Sequence, residues 1–219
     1  MNESLGTILV LKAGKIAPGF FDRNGKTADS AIGKQPVERS YLTKEGFRED
    51  DQADKKHHGG EHKAVLFLSL PTFDAINRHA EAELDPYVNA WFGENILLSA
   101  TTEGEIAVGD VLKLGNAIVE VSQPREPCWK LSARSGVKEM TKIIYRNGFT
   151  GWYVRVLEEG EVAKGDEVVR TARPHPELTV AFLNRLIQNP AADPEGLAKA
   201  MACDKLAPAF KESLAKRGG

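Results

Sequence analysis

The stretch VSQPREPCWKLSARSG, Val121 to Gly136, holds one of the chain's two cysteines, Cys128, in a setting that could do chemistry. Pro124 and Pro127 exclude the segment from the interior of a helix or a central strand, because each removes a backbone donor and fixes φ. It reads as a stiff loop leaving a strand that ends near Ser122. Arg125 and Lys130, at −3 and +2 from the cysteine, favour negative charge on sulfur, and thiolate is the form that attacks electrophiles and binds metals. An inert buried thiol is the competing reading for a free cysteine. The prolines and cations favour a nucleophile or a soft metal ligand. Cys203, within AKAMACDK, takes the inert reading.

A second segment, KKHHGGEHKAV (Lys55–Val65), offers His57, His58 and His62. Gly59-Gly60 breaks any helix that would put His58 and His62 on one face, so a zinc helix is not present, and no closed zinc spacing arises with Cys128. The diglycine reads either as a backbone nest for an anion, with Lys63 adding charge, or as a plain turn. In WFGENILL (Trp91–Leu98), Glu94 and Asn95 stand in a turn entering a strand. In NGFTGWYVRV (Asn147–Val156), Arg155 sits in an alternating strand, where it either faces solvent or binds an anion.

The elements that must position these residues are mostly strands up to about residue 172. GTILVLKAG, KAVLFLSL, TGWYVRVLEEG and GDEVVRT read as strands, and DVLKLGNAIVEVSQ as a hairpin turning at Gly115-Asn116. One helix interrupts them, PTFDAINRHA, with Pro71 in its first turn; a weaker helix is expected over Asp85–Trp91. After Arg173 the period changes. Leu178, Phe182 and Leu186 fall at helical spacing, Asp193-Pro194 reads as N-cap and N1, and a third helix starts or kinks at Pro208. The expected fold class is α+β: a β-rich, barrel-like domain over residues 1–173 and a three-helix extension over 174–219.

A net charge of −2 supplies no basic field for nucleic acid or a membrane surface, so neither is an expected partner. The longest apolar run, AVLFLSL, is too short to span a bilayer. The N-terminus has no basic stretch before its apolar residues, so it does not read as a secretory signal. Two cysteines make no disulfide framework, which suits a reducing cytoplasm.

Taken in order, SAIGKQPV, DDQADKKHHGGEHKAV, FGENILL, VGDVLKLGNAIVEVSQPREPCWKL and RNGFTGWYVRVLEEGEVAKGD resemble the MOSC domain family, the domain at the C-terminus of molybdenum-cofactor sulfurases. The likeness covers roughly residues 5–172 and is greatest to the YiiM-type branch linked to 6-hydroxylaminopurine resistance, whose three-helix extension the tail resembles. The resemblance implies a barrel that binds the molybdenum cofactor, a molybdopterin. It makes Cys128 the metal ligand, places His58, Gly59, Gly60 and Lys63 along the site with Arg125, Glu94 and Asn95 nearby, and adds Arg155. It implies two-electron reduction of N-hydroxylated compounds such as hydroxylaminopurine, N-hydroxycytosine or amidoximes, with Glu94 or His58 as proton donor or as orienting partner. The chain has no dinucleotide fingerprint and no iron–sulfur cysteine cluster, so electrons are expected from a separate reductase. The helical tail is expected either to serve the docking of that reductase or to form a homodimer contact. The alternative is a carrier of sulfur or of the cofactor, without turnover.

Overall fold

The computed structural model describes residues 2–23, 26–53 and 59–218. Strand β1 (Glu3–Ala13) leads through β2 (Ala17–Arg23) and β3 (Lys26–Ser30), an antiparallel arm, to β4 (Gln35–Val37), β5 (Arg39–Thr43) and β6 (Gly46–Phe47). Then come β7 (Val65–Ser69), helix α1 (Leu70–Ala80), β8 (Ile96–Leu98) and the hairpin of β9 (Val111–Leu114) and β10 (Ala117–Pro124). Two short helices, α2 (Lys130–Ser135) and α3 (Met140–Asn147), precede β11 (Trp152–Glu158), β12 (Gly160–Ala163) and β13 (Glu167–Ala172). The chain closes with α4 (Val180–Leu186), α5 (Pro194–Ala202) and α6 (Pro208–Gly218).

Seven strands close on themselves in the order β13-β9-β10-β11-β7-β8-β1, with β1 pairing back to β13, and β4 extends the sheet beside β1. Within the ring only β7 and β8 run parallel. Parallel neighbours need a crossover, and α1 with the following loop provides it. Closure leaves the ring no free edge.

Alternation sorts side chains to the two faces of the barrel wall. Along β11, Trp152, Val154 and Val156 are buried and belong to the interior, with Phe67 of β7 stacked on Trp152 at 5.8 Å. On the outer face, Val10, Leu68 and Leu97 pack against Phe73 and Ile76 of α1, Leu131 of α2 and Met140 and Ile144 of α3. The three terminal helices form a separate core around Leu183, Leu186, Phe210 and Leu214, joined to the barrel by Val108 and Leu178. The α+β class, the barrel and the three-helix extension follow the sequence reading. Asp193 caps α5 by accepting from the Gly196 amide at 2.8 Å, and α6 starts at Pro208.

Two local expectations differ. Residues 85–91 are a turn rather than a helix: the Asp85 side chain accepts from the Tyr87 amide at 2.8 Å, and Trp91 Nε1 donates to the Asp85 carbonyl at 2.8 Å. An aspartate bonding to its own following backbone competes with a helix. Helices α2 and α3 were not anticipated. They are six and eight residues long, with one and two buried side chains, too brief to show a helical period in the sequence.

Candidate functional site

A cleft enclosing about 600 Å³, open solvent included, lies against the outer face of the barrel. Its floor is set by strand alternation. Leu66 of β7 and Tyr153 of β11 are register partners, and both line the cleft while their neighbours Phe67 and Trp152 point into the barrel. Around them stand Ile32 and Lys34 ahead of β4, Gln52 after β6, Lys63 ahead of β7, Phe92 and Asn95 ahead of β8, and Arg125, Cys128 and Lys130 after β10.

The Cys128 loop begins where the β10 ladder ends, at the Pro124–Trp152 pair. The Arg125 amide still reaches the Gly151 carbonyl at 3.3 Å. The Cys128 carbonyl accepts from the Thr141 hydroxyl at 3.0 Å and from the Leu131 amide at 3.1 Å, so α2 and α3 hold the cysteine's backbone from behind. Cys128 is half-buried, unbridged and lines the cleft. Trp129 meets the edge of Phe21 on the β2–β3 arm at 5.4 Å.

The electrostatics of the cleft are positive. Lys34, Lys63, Arg125 and Lys130 line it, with Asp51 the one acid among the described lining residues. Arg125 is only 5 % exposed, and its guanidinium makes a long 3.4 Å bond to the Phe92 carbonyl and interacts with the Tyr153 hydroxyl. A guanidinium has five donors, so these contacts use a minority of them. Burial pushes the Tyr153 phenol up, while the Arg125 charge pulls it down less strongly; the hydroxyl therefore stays protonated at neutral pH.

The residues expected at the site divide. Cys128, Lys63, Asn95 and Arg125 come together in the cleft. Asn95 also serves the fold: its amide donates to the Asp50 carboxylate at 2.9 Å and to the Lys12 carbonyl at 3.1 Å, and its oxygen accepts from the Leu66 amide at 3.1 Å. Asp50 in turn pairs with Lys34 and accepts from the Gly14 amide. Glu94 corrects its expected role as proton donor. It is wholly buried, bonded to Lys12 Nζ at 2.6 Å and accepting from the Phe92 amide at 3.0 Å, so both oxygens are taken by structural partners. It orients the loop that carries Phe92 and Asn95.

Gly59 and Gly60 do not line the cleft. Gly60 adopts φ of 88° at the head of a 3-10 turn over Glu61–Lys63, and its amide donates to Gln52 Oε1 at 3.3 Å, so Gly60 itself serves a turn. Arg155 is also displaced. It bonds Glu120 at 2.8 Å and the Lys205 carbonyl at 2.6 Å, and joins the barrel to the helical extension. His58, expected as a cofactor or proton-donor residue, and His57 lie outside the described residues. Burial, and then the nearby Arg155 charge, lower the pKa of His62; its carbonyl accepts from the Ser122 hydroxyl.

Sequence reasoning missed Tyr153, Lys34, Gln52 and Phe92. For Tyr153 a signal existed: it alternates out of phase with the core residues Trp152 and Val154. Lys34 sits inside SAIGKQPV but carries no feature that marks it locally. Among the described residues, the three-member group able to hold a metal is His175, Cys203 and Asp204, in the helical extension and not in the cleft; its Asp204 is exposed and 3.7 Å from Lys205 Nζ. Among the described residues no helix is long and apolar enough to cross a membrane.

Known proteins share this fold. The family model of the MOSC domain matches residues 54–169, and that of the YiiM-like, 3-alpha helix domain matches 178–217. The chain is 34 % identical over 218 residues to the Bacillus subtilis (strain 168) protein YflK, covering 99 % of this chain and 96 % of YflK. A protein of Gibberella moniliformis (strain M3125 / FGSC 7600) named Reductase is 32 % identical over 188 residues, 84 % of this chain but 32 % of that protein. The crystal structure of YiiM from Geobacillus stearothermophilus superposes with a TM-score of 0.79 at 26 % identity, over 97 % of this chain and 99 % of that one.

Proposed function

Because the chain belongs to the MOSC domain family and ends in the YiiM-like helical extension, we propose that it is a molybdenum-cofactor-dependent reductase of N-hydroxylated compounds. The observation that supports this most is the placement of Cys128: a thiol on a proline-stiffened loop, facing a cleft lined by four cations. The donor set fits the cofactor. Thiolate is a soft ligand suited to a thiophilic metal. Arg125, with Lys63, Lys130 and Lys34, suits a phosphate. Leu66, Ile32 and Phe92 supply the apolar walls that a flat heterocycle needs, and the cleft is of the size that takes a small cofactor.

Once bound, the cofactor supplies a two-electron couple for reducing N–OH to amine. The balance is R–NH–OH plus two electrons and two protons, giving R–NH2 and water. The chain's own residues hold, orient and protonate. Cys128 would ligate the metal, Arg125 and the lysines would fix the phosphate, and the protonated Tyr153 hydroxyl would stand within the cleft as a proton donor. A separate reductase would bring the electrons, and the substrate would be a hydroxylaminopurine, an N-hydroxycytosine or an amidoxime.

The test is elemental analysis and turnover on protein from a host that makes the cofactor, with Cys128→Ala beside it. Near-stoichiometric molybdenum and reduction of 6-hydroxylaminopurine with an artificial electron donor are expected in the parent. Both should be lost in Cys128→Ala, with the melting temperature retained. Molybdenum without turnover of any N-hydroxylated compound would favour the carrier reading. Molybdenum and turnover persisting in Cys128→Ala would sink the assignment of the ligand.

A further inference from the structure

The helical extension meets the Cys128 loop and the two segments that flank it at three points. Where it leaves β10, the Ala207 amide donates to the Ser122 carbonyl at 3.0 Å. Where it leans on the start of β11, Asn184 of α4 donates to the Gly148 carbonyl and the Thr150 hydroxyl, both at 2.9 Å, and so fixes the turn whose Gly151 carbonyl receives the Arg125 amide. In the middle, Glu126, two residues before the cysteine, accepts from the Ser213 hydroxyl of α6 at 2.9 Å and stands 3.8 Å from Arg217 of the same helix.

Behind the loop lies a second, partly open pocket of about 360 Å³, open solvent included, walled by Glu126 and Pro127 on the loop side and by Ile187, Phe210 and Arg217 on the helical side. Glu126 and Pro127 therefore face this pocket on the side toward the helices, and packing is incomplete there. Glu126 is tied to α6 by the Ser213 bond and by the longer Arg217 contact. Arg217 is itself fixed, donating to the Tyr145 hydroxyl at 2.6 Å and to the Ile187 carbonyl at 3.3 Å.

We propose that the three-helix extension is a clamp on the Cys128 loop, and that Ser213, acting through the Glu126 carboxylate, is a positioning residue for the sulfur. The clamp draws its purpose from the reading of Cys128 as the reactive residue, but its test reads the sulfur directly. The full-length chain is made in a host that cannot make the cofactor, and its reaction with iodoacetamide is timed by mass spectrometry of the Cys128 peptide, which keeps the buried Cys203 out of the measurement. Ser213→Ala and Glu126→Ala are each expected to speed alkylation roughly threefold or more, because a locally released loop samples open states more often. Ser213→Thr, which keeps the hydroxyl, should stay near the parent rate, and the Ser213→Ala/Glu126→Ala pair should be no faster than Glu126→Ala alone, since Glu126→Ala already removes the Ser213 bond together with the Arg217 contact.

Unchanged alkylation in Ser213→Ala overturns the clamp. So does an equal rise in Ser213→Thr, an additive rise in the pair, or a rise that follows a fall in melting temperature instead of the loss of the hydroxyl. Loss of the cofactor reading alone would leave these rates as expected, and failure of the clamp would leave molybdenum binding by the parent protein intact.

Discussion

Strands β7 and β11 do different work on their two faces. Inward, Phe67, Trp152 and Val154 fill the barrel and are sealed from solvent. Outward, Leu66 and Tyr153, one residue along on the same strands, form the floor of the cleft. A β-strand can serve both purposes because successive side chains point to opposite faces. The cleft is thus laid on a surface whose backbone is immobilised by the core directly beneath it. One residue of register separates a packing role from a site role, so substitutions on the two faces should separate stability from function.

The largest effect should come from the inner face. Trp152→Ala removes a fully buried indole stacked on Phe67, and is expected to cost about 3–5 kcal/mol of stability. Urea unfolding measures it; a loss below about 1 kcal/mol would mean that the barrel interior is less filled there than the structure has it. A smaller effect of another kind is expected one residue away. Tyr153→Phe should lower kcat by roughly tenfold to a hundredfold, with a stability change well below that of Trp152→Ala. Steady-state turnover of 6-hydroxylaminopurine beside urea unfolding reads both, and an unchanged kcat would remove Tyr153 as the proton donor.

The smallest effect tests the backbone under the site. Glu103 is buried, accepts from the Gly151 amide at 2.9 Å and from the Thr72 hydroxyl at 2.8 Å, and burial raises its pKa above 4.5. The folded state then keeps this proton longer than the unfolded state as pH rises. Its contribution to stability is full below the unfolded value and declines as pH climbs through the raised folded value. Glu103→Gln cannot titrate, so the parent's advantage over the variant should shrink as pH rises from the unfolded value through the raised folded value. A pH-independent difference between the two unfolding free energies would show that Glu103 titrates normally.

Strands β1, β7, β8, β9, β10, β11 and β13, the Gly115-Asn116 hairpin, α1 and the Asp193 cap of α5 were legible because each depends on residues close in sequence. Within the site, Cys128 and Arg125 were legible for the same reason: two prolines and the flanking cations declare a stiff cationic loop without outside help. Lys63 was marked locally as a charge beside the diglycine, and Asn95 was found through family resemblance. Glu94, Gly60 and Arg155 were misplaced because the partners that claim them lie elsewhere in the chain.

By itself, the sequence determined most of the barrel strands, the helix after β7, the helical character of the tail and which loop holds a thiol between prolines and cations. These follow from dihedral restriction, alternation and capping, which act over a few residues. Only the tertiary structure decided how polar side chains were divided between scaffold and cleft. Lys12 claims Glu94 from 82 positions away, and Ser213 claims Glu126 from 87. A buried charge or donor must be matched by a partner wherever the fold brings one, and that pairing does not exist until the barrel has closed and the helices have packed against it.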